Sequence, residues 1–265
     1  MSPALKQLLL KCIFFLGQFG LDPLRLLRSL RGLPSYVIDW RRFRRNYIGT
    51  MALMPCLHDR FEEGGATKSE YFWQDLLVAR WIHDADPEKH VDVGSRVDGF
   101  VAHVASYREI EVFDVRPITA SIPGIRFRQM DMMYAASLPD GGGEGYCDSV
   151  SCLHAIEHFG LGRYGDQLNP EGYRLGIANL AHLLKPGGML YLSFPIGRER
   201  VEFNANWVFD PRTIIACAQE HALEPTRLVT IAENTGGEES LMDEATLAML
   251  AKQHCGLGIF LFKKR

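Results

Sequence analysis

The chain has 265 residues, of which 47% are hydrophobic and 23% are charged, and its formal net charge is −3 at pH 7. This composition predicts a soluble, globular protein with one sizeable core, and it excludes a wholly disordered chain. The weak net charge carries no nucleic-acid signature, so we expect no nucleic-acid partner.

The amino-terminal segment differs from the rest of the chain in its charge. Residues 1–45 hold nine lysines and arginines but only two aspartates, which gives them a charge of +7 and leaves −10 for the remainder. This asymmetry predicts a separate role for the segment. It fits a peripheral contact with a membrane, because clustered cations bind anionic lipid. It fits about as well a helical cap on the following domain, with the arginines solvated.

Two helices are predicted in this segment. Residues 4–20 form a strongly apolar helical pattern, and a second helix begins where Asp22 can cap it and Pro23 suits its first turn. Gly32 and Pro34 are expected to end this second helix.

The expected location is the cytoplasm, with the chain either free or peripheral at the inner face of the membrane. The uncharged stretch 12–21 is about half as long as the roughly 20 residues of a membrane-spanning helix, and no cleavable signal peptide is expected. The six cysteines form no C-x-x-C pair, which favours reduced thiols. We divide the chain into a basic helical extension, residues 1–67, and a domain, residues 68–265.

From residue 89 onward, predicted strands alternate with predicted helices. The strands are His90–Val93, Glu109–Asp114, Ile125–Gln129, Tyr146–Cys152, Met189–Phe194, Leu228–Ile231 and Ile259–Phe262. The helices are Val97–Tyr107, Gly172–Leu184 and Arg212–His221, a loop holds Gly141 to Gly143, and Pro186-Gly187-Gly188 separates a helix from the fifth strand. This alternation implies right-handed crossovers in an α/β protein with a doubly wound, mostly parallel sheet.

Acidic residues recur at the carboxyl ends of the first three of these strands, where open α/β sheets bind ligands. Asp92 precedes Gly94 at the first end, and Gly94 would let a ligand approach the backbone. Asp114 closes the second strand and could accept both hydroxyls of a ribose. Asp131 follows the third, beside Met132, and an acceptor next to an apolar side chain suits an adenine ring. The series predicts a nucleoside cofactor, although each acid alone could be a loop or cap residue.

The stretch after the fourth strand contains His154, Glu157 and His158, at a spacing that a helix would place on one face. A hydrogen-bonded polar cluster, a general base and a weak metal site all remain open for it. Its H-x-x-E-H string matches a metalloprotease pattern, which we set aside because the string follows a core strand.

Two further segments are candidates for substrate binding. The glycine-rich loop 160–166 carries Arg163, Tyr164 and Asp166, and the segment after the fifth strand carries Arg198 and Asn204. Arginines there could pair with a phosphate or carboxylate, or could simply be solvated surface residues.

These features together resemble class I S-adenosylmethionine-dependent methyltransferases over residues 68–265. LLKPGG (183–188) before a strand, the LH…EH stretch (153–158) and the final segment Gly256–Lys264 carry this resemblance. YFWQDL (71–76), HVDVGSRVDGFVAH (90–103), LHAIEHFGLGRYGD (153–166), LKPGGMLYLSFPIG (184–197) and VEFNAN (201–206) are closer to an uncharacterised bacterial group, domain-of-unknown-function family 268. The resemblance implies a seven-stranded, Rossmann-like sheet and S-adenosyl-L-methionine as cofactor. The family's setting among surface-polysaccharide genes implies O-methylation of a sugar or surface-glycan precursor as the small-molecule or glycan substrate.

The resemblance also implies roles for particular residues. Asp92, Gly94 and Ser95 match the first cofactor motif, in which Arg96 and Asp98 stand where glycines are usual. These two side chains could crowd the methionine part of the cofactor, or Arg96 could bind its carboxylate directly. Asp114 then matches the ribose acid, and Asp131 with Met132 matches the adenine side. His158 is the first candidate for the base, followed by His154, with Glu157 orienting the base. His154 stands where metal-dependent relatives have a carboxylate, so we expect no metal. The alternative function is a non-catalytic binding protein of glycan assembly, and a nicotinamide-dependent oxidoreductase ranks below both because G-x-G-x-x-G is missing.

Overall fold

The computed structural model describes residues 3–134, 145–231 and 236–265. Within them the chain divides into two compact units, of which the first ends at Ala66 and the second begins at Thr67. The predicted loop of Gly141 to Gly143 lies outside the described residues.

The first unit contains two long helices, α1 (Pro3–Gln18) and α2 (Pro23–Asn46), followed by a single 3₁₀ turn. Helix α2 begins as predicted, because the Asp22 side chain accepts a hydrogen bond from the Arg25 backbone N–H at 2.9 Å.

The prediction that Gly32 and Pro34 end helix α2 was wrong, because the helix continues through both to Asn46. The fixed φ of Pro34 is compatible with a helix, so the proline removes a backbone hydrogen bond but does not end the helix. Gly32 is buried, and a side chain there would collide with the carbonyl oxygen of Leu57. The glycine therefore serves a close approach between two backbones.

The second unit is built on one sheet of eight strands in the order β3-β2-β1-β4-β5-β10-β8-β9. The strands are β1 (His90–Val93), β2 (Ile110–Asp114), β3 (Ile125–Gln129), β4 (Cys147–Leu153), β5 (Leu184–Ile196), β8 (Leu223–Ile231), β9 (Glu238–Ser240) and β10 (Gly256–Lys264), and a separate hairpin is made of β6 (Arg200–Glu202) and β7 (Asn206–Val208). The first five strands pair in parallel, and β10 lies antiparallel between β5 and β8. The α/β, mostly parallel, Rossmann-like fold is confirmed, with β9 as one edge strand more than the expected seven.

Helices cover both faces of this sheet. They are α3 (Glu70–Ala85), α4 (Ala102–Ala105), α5 (Gly172–Leu183), α6 (Pro211–Glu220) and α7 (Glu244–Leu250). One apolar core joins α5, α6 and α7 to residues such as Val91, Leu190 and Phe260, and the other joins α3 and α4 to residues such as Val112 and Ile259. The two cores account for the doubly wound arrangement, and they leave the carboxyl ends of the parallel strands free to form a site.

Two local predictions were wrong. The expected helix Val97–Tyr107 is a π-helical turn, Val97–Val101, followed by the single turn α4, because Gly99 has non-helical dihedrals. Strand β5 begins at Leu184 rather than Met189. The intervening Pro186-Gly187-Gly188 lies inside the strand, where a shift in the register with β4 accommodates it.

Candidate active site

A cleft of about 1040 Å³ opens at the carboxyl ends of β1, β2, β3 and β4. Gly94, Asp114, Asp131 and His154, each from one of these ends, all line it. The structure therefore brings together the strand ends that the sequence singles out.

The turn after β1 is fixed from beneath by Asp92. Its carboxylate is fully buried and accepts hydrogen bonds from the Ser95 N–H at 3.1 Å, the Ser95 hydroxyl at 2.6 Å and the Ser151 hydroxyl at 2.6 Å. Burial raises the pKa of Asp92 to about 7. Asp92 and Ser95 do not line the cleft, so the structure does not place these two predicted cofactor residues against a ligand. They hold Gly94, whose φ of +74° and close approach to the Ala155 side chain require a glycine.

Arg96 and Asp98, which occupy the usual glycine positions, pair with each other. The Arg96 Nε and Nη2 atoms donate to the two Asp98 carboxylate oxygens at 3.0 and 2.7 Å. Both side chains line the cleft, yet they are 59% and 72% exposed. The pair therefore sits at the rim of the cleft, and the Arg96 guanidinium lies 5.8 Å from the centre of the Tyr71 ring.

The carboxylate of Asp114 is buried and pairs with Arg116, a residue that was not predicted for the site. Arg116 donates from Nε to Oδ1 at 3.0 Å and from Nη2 to Oδ2 at 2.6 Å, and its backbone N–H also reaches Oδ1 at 2.8 Å. Its guanidinium stands 4.6 Å from the centre of the Tyr164 ring on the loop across the cleft. The position of an arginine two residues after a strand-end aspartate is the sequence signal that could have predicted this ion pair.

Asp131 and Met132, which were expected on the adenine side, both line the cleft. The Asp131 carboxylate accepts the Met133 N–H at 2.9 Å, and partial burial raises its pKa. Met130 and Met133 line the same wall, so one acceptor sits within an apolar surface.

His154 is a buried cation. Its Nδ1 lies 2.7 Å from the Glu157 Oε1, and its Nε2 lies 3.5 Å from a carboxylate oxygen of Glu70. Burial by itself lowers the pKa of a histidine, but the carboxylates of Glu157 and Glu70 outweigh that effect and raise the pKa of His154 to about 9. The Tyr71 ring stacks on the imidazole at 4.4 Å, and burial together with the nearby Glu157 raises the pKa of Tyr71 to about 12.

His158 is held in the opposite protonation state. Its Nδ1 lies 2.7 Å from the backbone carbonyl oxygen of Ala205, which can only accept, so Nδ1 carries the proton and Nε2 carries a lone pair. Burial lowers the pKa of His158, as does the nearby Arg163. His158 lines the cleft as a neutral imidazole.

The expectation that a helix brings His154, Glu157 and His158 together was wrong, because these residues do not lie on an α-helix. His154 has a φ of +50°, and a 3₁₀ turn, Ile156–His158, follows it. The three side chains nevertheless meet, with the His158 Nε2 3.9 Å from the Glu157 Oε1.

The glycine-rich loop forms the far wall of the cleft. The Asp166 carboxylate accepts backbone N–H groups of Gly160, Gly162 and Tyr164 at 3.0 to 3.2 Å, so this residue shapes the loop. Arg163 donates to the Ala205 carbonyl at 2.9 Å, and the three candidates for substrate binding on this loop, Arg163, Tyr164 and Asp166, all line the cleft.

Arg198 and Asn204 do not belong to this site, contrary to expectation. Both are exposed, and neither lines the cleft. Strand β5 runs to Ile196, and the Arg198 backbone N–H then donates to the Gln253 carbonyl at 2.9 Å, beyond helix α7. The chain that follows Arg198 forms the β6–β7 hairpin, and Asn204 lies in the connection between its two strands.

Two groups of His, Cys, Asp and Glu have metal-like spacing within the described residues. They are Cys217, Glu220 and His221, and His58, Asp59 and Glu62. Neither group includes a residue of the cleft.

Comparison with known proteins agrees with this architecture. Residues 143–216, less than a third of the chain, match the model of a family described as Caenorhabditis protein of unknown function, DUF268, so the expected bacterial origin of that family is not supported. No curated protein gives a significant match.

Two crystal structures of the N-methyltransferase NodS from Bradyrhizobium japonicum WM9 are similar to the chain. The complex with S-adenosyl-L-homocysteine is 15% identical, with a TM-score of 0.51, and the match covers 76% of this chain and 89% of NodS. The second structure is also 15% identical, with a TM-score of 0.50 and coverage of 77% and 99%. The chain therefore has the fold of the S-adenosylmethionine-dependent methyltransferases.

Proposed function

We propose that the protein is an S-adenosylmethionine-dependent methyltransferase that acts on a hydroxyl group, with His158 as the general base. The observation that carries the proposal is a neutral, buried imidazole with an available Nε2 lone pair, in the cleft where the acidic strand ends meet.

The residues present fit the cofactor. Gly94 offers a backbone that a ligand can approach, Asp114 is a buried acceptor for ribose hydroxyls, and Asp131 with Met132 provides a polar and an apolar contact for adenine. When bound, S-adenosylmethionine would supply a methyl group that its positive sulfur makes electrophilic.

His158 would accept the proton that the acceptor hydroxyl loses as its oxygen bonds to the methyl carbon. The Ala205 carbonyl fixes the tautomer that makes this transfer possible, and the low pKa keeps Nε2 unprotonated at neutral pH. His154 is unsuited to the same role because it already carries a proton. Its role under this proposal is to pair with Glu157 and present a cationic donor to the cleft.

A hydroxyl-rich acceptor, such as a sugar or surface-glycan precursor, fits the polar atoms behind the base. The Glu157 Oε2 is buried and has no hydrogen-bond partner among the described residues, and the buried His154 Nε2 has only the Glu70 carboxylate, at 3.5 Å. Buried polar atoms are seldom left unpaired, and a polyol offers both donors and acceptors. The rings of Tyr71 and Tyr164 add flat apolar faces to the same cleft.

One observation favours a second function, a non-catalytic binding protein of glycan assembly. The engagement of both Asp114 oxygens by Arg116 occupies the acceptor that a ribose would need.

Calorimetry with S-adenosylhomocysteine separates the two functions. Binding at micromolar concentration, together with transfer of a labelled methyl group to a nucleotide sugar or oligosaccharide, supports the methyltransferase. Glycan binding without any cofactor binding supports the alternative and overturns the first proposal.

A further inference from the structure

Helix α1 exposes apolar side chains on every side. Leu8, Phe14, Phe15 and Phe19 are between 59% and 69% exposed, and Leu5, Leu9 and Leu10 are about half exposed. Apolar surface of this extent, rather than scattered single residues, marks a site of interaction.

Helix α2 also exposes apolar side chains, and it carries cations as well. Leu26, Leu27 and Leu30 are each at least 60% exposed, as is Phe43 near the end of the helix. Exposed arginines without a hydrogen bond or ion pair to any described residue lie among them, namely Arg28, Arg41, Arg42 and Arg45.

The first unit, Met1–Ala66, holds five acids against ten lysines and arginines, and three of the acids, Asp59, Glu62 and Glu63, follow helix α2, so the cations of the two helices are only partly compensated. The Asp22 carboxylate is used in capping α2, and Asp39 pairs with Arg60. An occupant of this surface must therefore be apolar and negatively charged. A second copy of the chain would bring another segment with a charge of +7 against the first, which opposes self-association.

We propose that the first unit binds the surface of an anionic phospholipid bilayer through α1 and α2. Helix α1 has 16 residues, about 24 Å of helix, which is shorter than the hydrocarbon core of about 30 Å. No helix within the described residues is long and apolar enough to cross a bilayer. The helices therefore lie along the interface, with the leucines and phenylalanines in the acyl boundary and the arginines among the headgroups. This inference does not depend on the methyltransferase activity.

Co-sedimentation of the full chain with vesicles tests the proposal. We expect the chain to pellet with vesicles of phosphatidylcholine containing 30% phosphatidylglycerol, and to pellet much less with phosphatidylcholine alone. Replacing Arg41, Arg42 and Arg45 with Gln removes three headgroup contacts and should reduce the partition coefficient about 100-fold. Replacing Phe14 and Phe15 with Ser should reduce it about as much, because the apolar anchor is lost.

The matched control replaces Arg80, Arg126 and Arg265 of the second unit with Gln. These side chains are 71% to 79% exposed, and removing them lowers the net charge equally. The control should bind vesicles like the parent protein.

Three results would overturn the proposal: no pelleting with anionic vesicles, equal loss of binding in the control, or a parent protein that sediments as a dimer unless Phe14 and Phe15 are replaced. The last result would assign the apolar surface to a second copy of the chain.

Discussion

Arg116 binds the carboxylate of Asp114 in a bidentate, side-on arrangement, with two guanidinium hydrogen bonds of 3.0 and 2.6 Å. Asp114 is only 6% exposed, whereas Arg116 is 42% exposed and lies against the Tyr164 ring. The Asp114 carboxylate is therefore fixed in a buried position, whereas the Arg116 side chain remains partly exposed to solvent. A ligand that needs both oxygens of Asp114 therefore competes with this arginine for them.

Replacing Arg116 with Ala should therefore tighten the binding of S-adenosylhomocysteine. A half-exposed pair contributes on the order of 1 kcal/mol, so we expect a decrease in Kd of about fivefold by calorimetry. Arg163→Ala is the matched control, because it removes a cation from the same cleft but leaves the Asp114 pair intact. A higher Kd in the Arg116 variant would show that the arginine holds the cofactor instead of competing with it.

His158→Gln should reduce the rate of methyl transfer by a factor of about 10² to 10⁴, because general-base catalysis contributes that much. The affinity for S-adenosylhomocysteine should not change. In the parent protein, the lowered pKa of His158 means that the base is unprotonated at neutral pH. The rate should therefore fall only at a pH below the range in which an ordinary histidine titrates, and the variant should lose that acid limb. A variant with full turnover would rule out His158 as the base.

The His154–Glu157 pair should make stability depend on pH. The pKa of His154 is raised to about 9 in the folded state, above the ordinary value of 6.5. Its contribution is therefore complete below pH 6.5 and is lost as the pH rises through 9. It is on the order of 3 kcal/mol in the free energy of unfolding, measured with urea between pH 6 and 10. His154→Asn should flatten this dependence, and a parent protein equally stable across the range would contradict it.

The acceptor should be recognised by the loop across the cleft and not by the segment after β5. Tyr164→Ala removes an aromatic face of the cleft and should raise the KM for the acceptor severalfold. A double variant with Arg198 and Asn204 replaced by Ala should leave KM within a factor of two, because neither residue lines the cleft. The reverse pattern would place the acceptor on the β6–β7 hairpin.

The strands were the most predictable part of the fold. β1 and β3 have the predicted bounds, because Gly94 ends the first and the turn before Ile125 begins the second. Elements defined by close contacts between distant backbones were not predictable. The residues next to Gly32 in the sequence do not show that it lies against Leu57. Nor do those next to Pro186 show that a shift in the register of β4 and β5 accommodates it.

The candidate site was predictable in position but less so in chemistry. Asp114, Asp131 and His154 each stand at the carboxyl end of a parallel strand. Because these ends meet at one edge of the sheet, the proximity of the three residues could be expected from topology alone. The charge of His154 depends on Glu70, 84 residues away, and the restraint on Asp114 depends on an arginine whose rotamer the sequence does not encode. The neutral state of His158 likewise rests on a backbone carbonyl 47 residues later.

Strand β10 occupies an interior place in the sheet although it comes last among the described strands, pairing with β5 on one side and β8 on the other. During synthesis, β5 and β8 would each present an open apolar edge until residues 256–264 leave the ribosome. The nascent domain therefore depends on β10 to pair with both of these edges. A chain that stopped before residue 256 would leave the edges of β5 and β8 exposed and prone to aggregation.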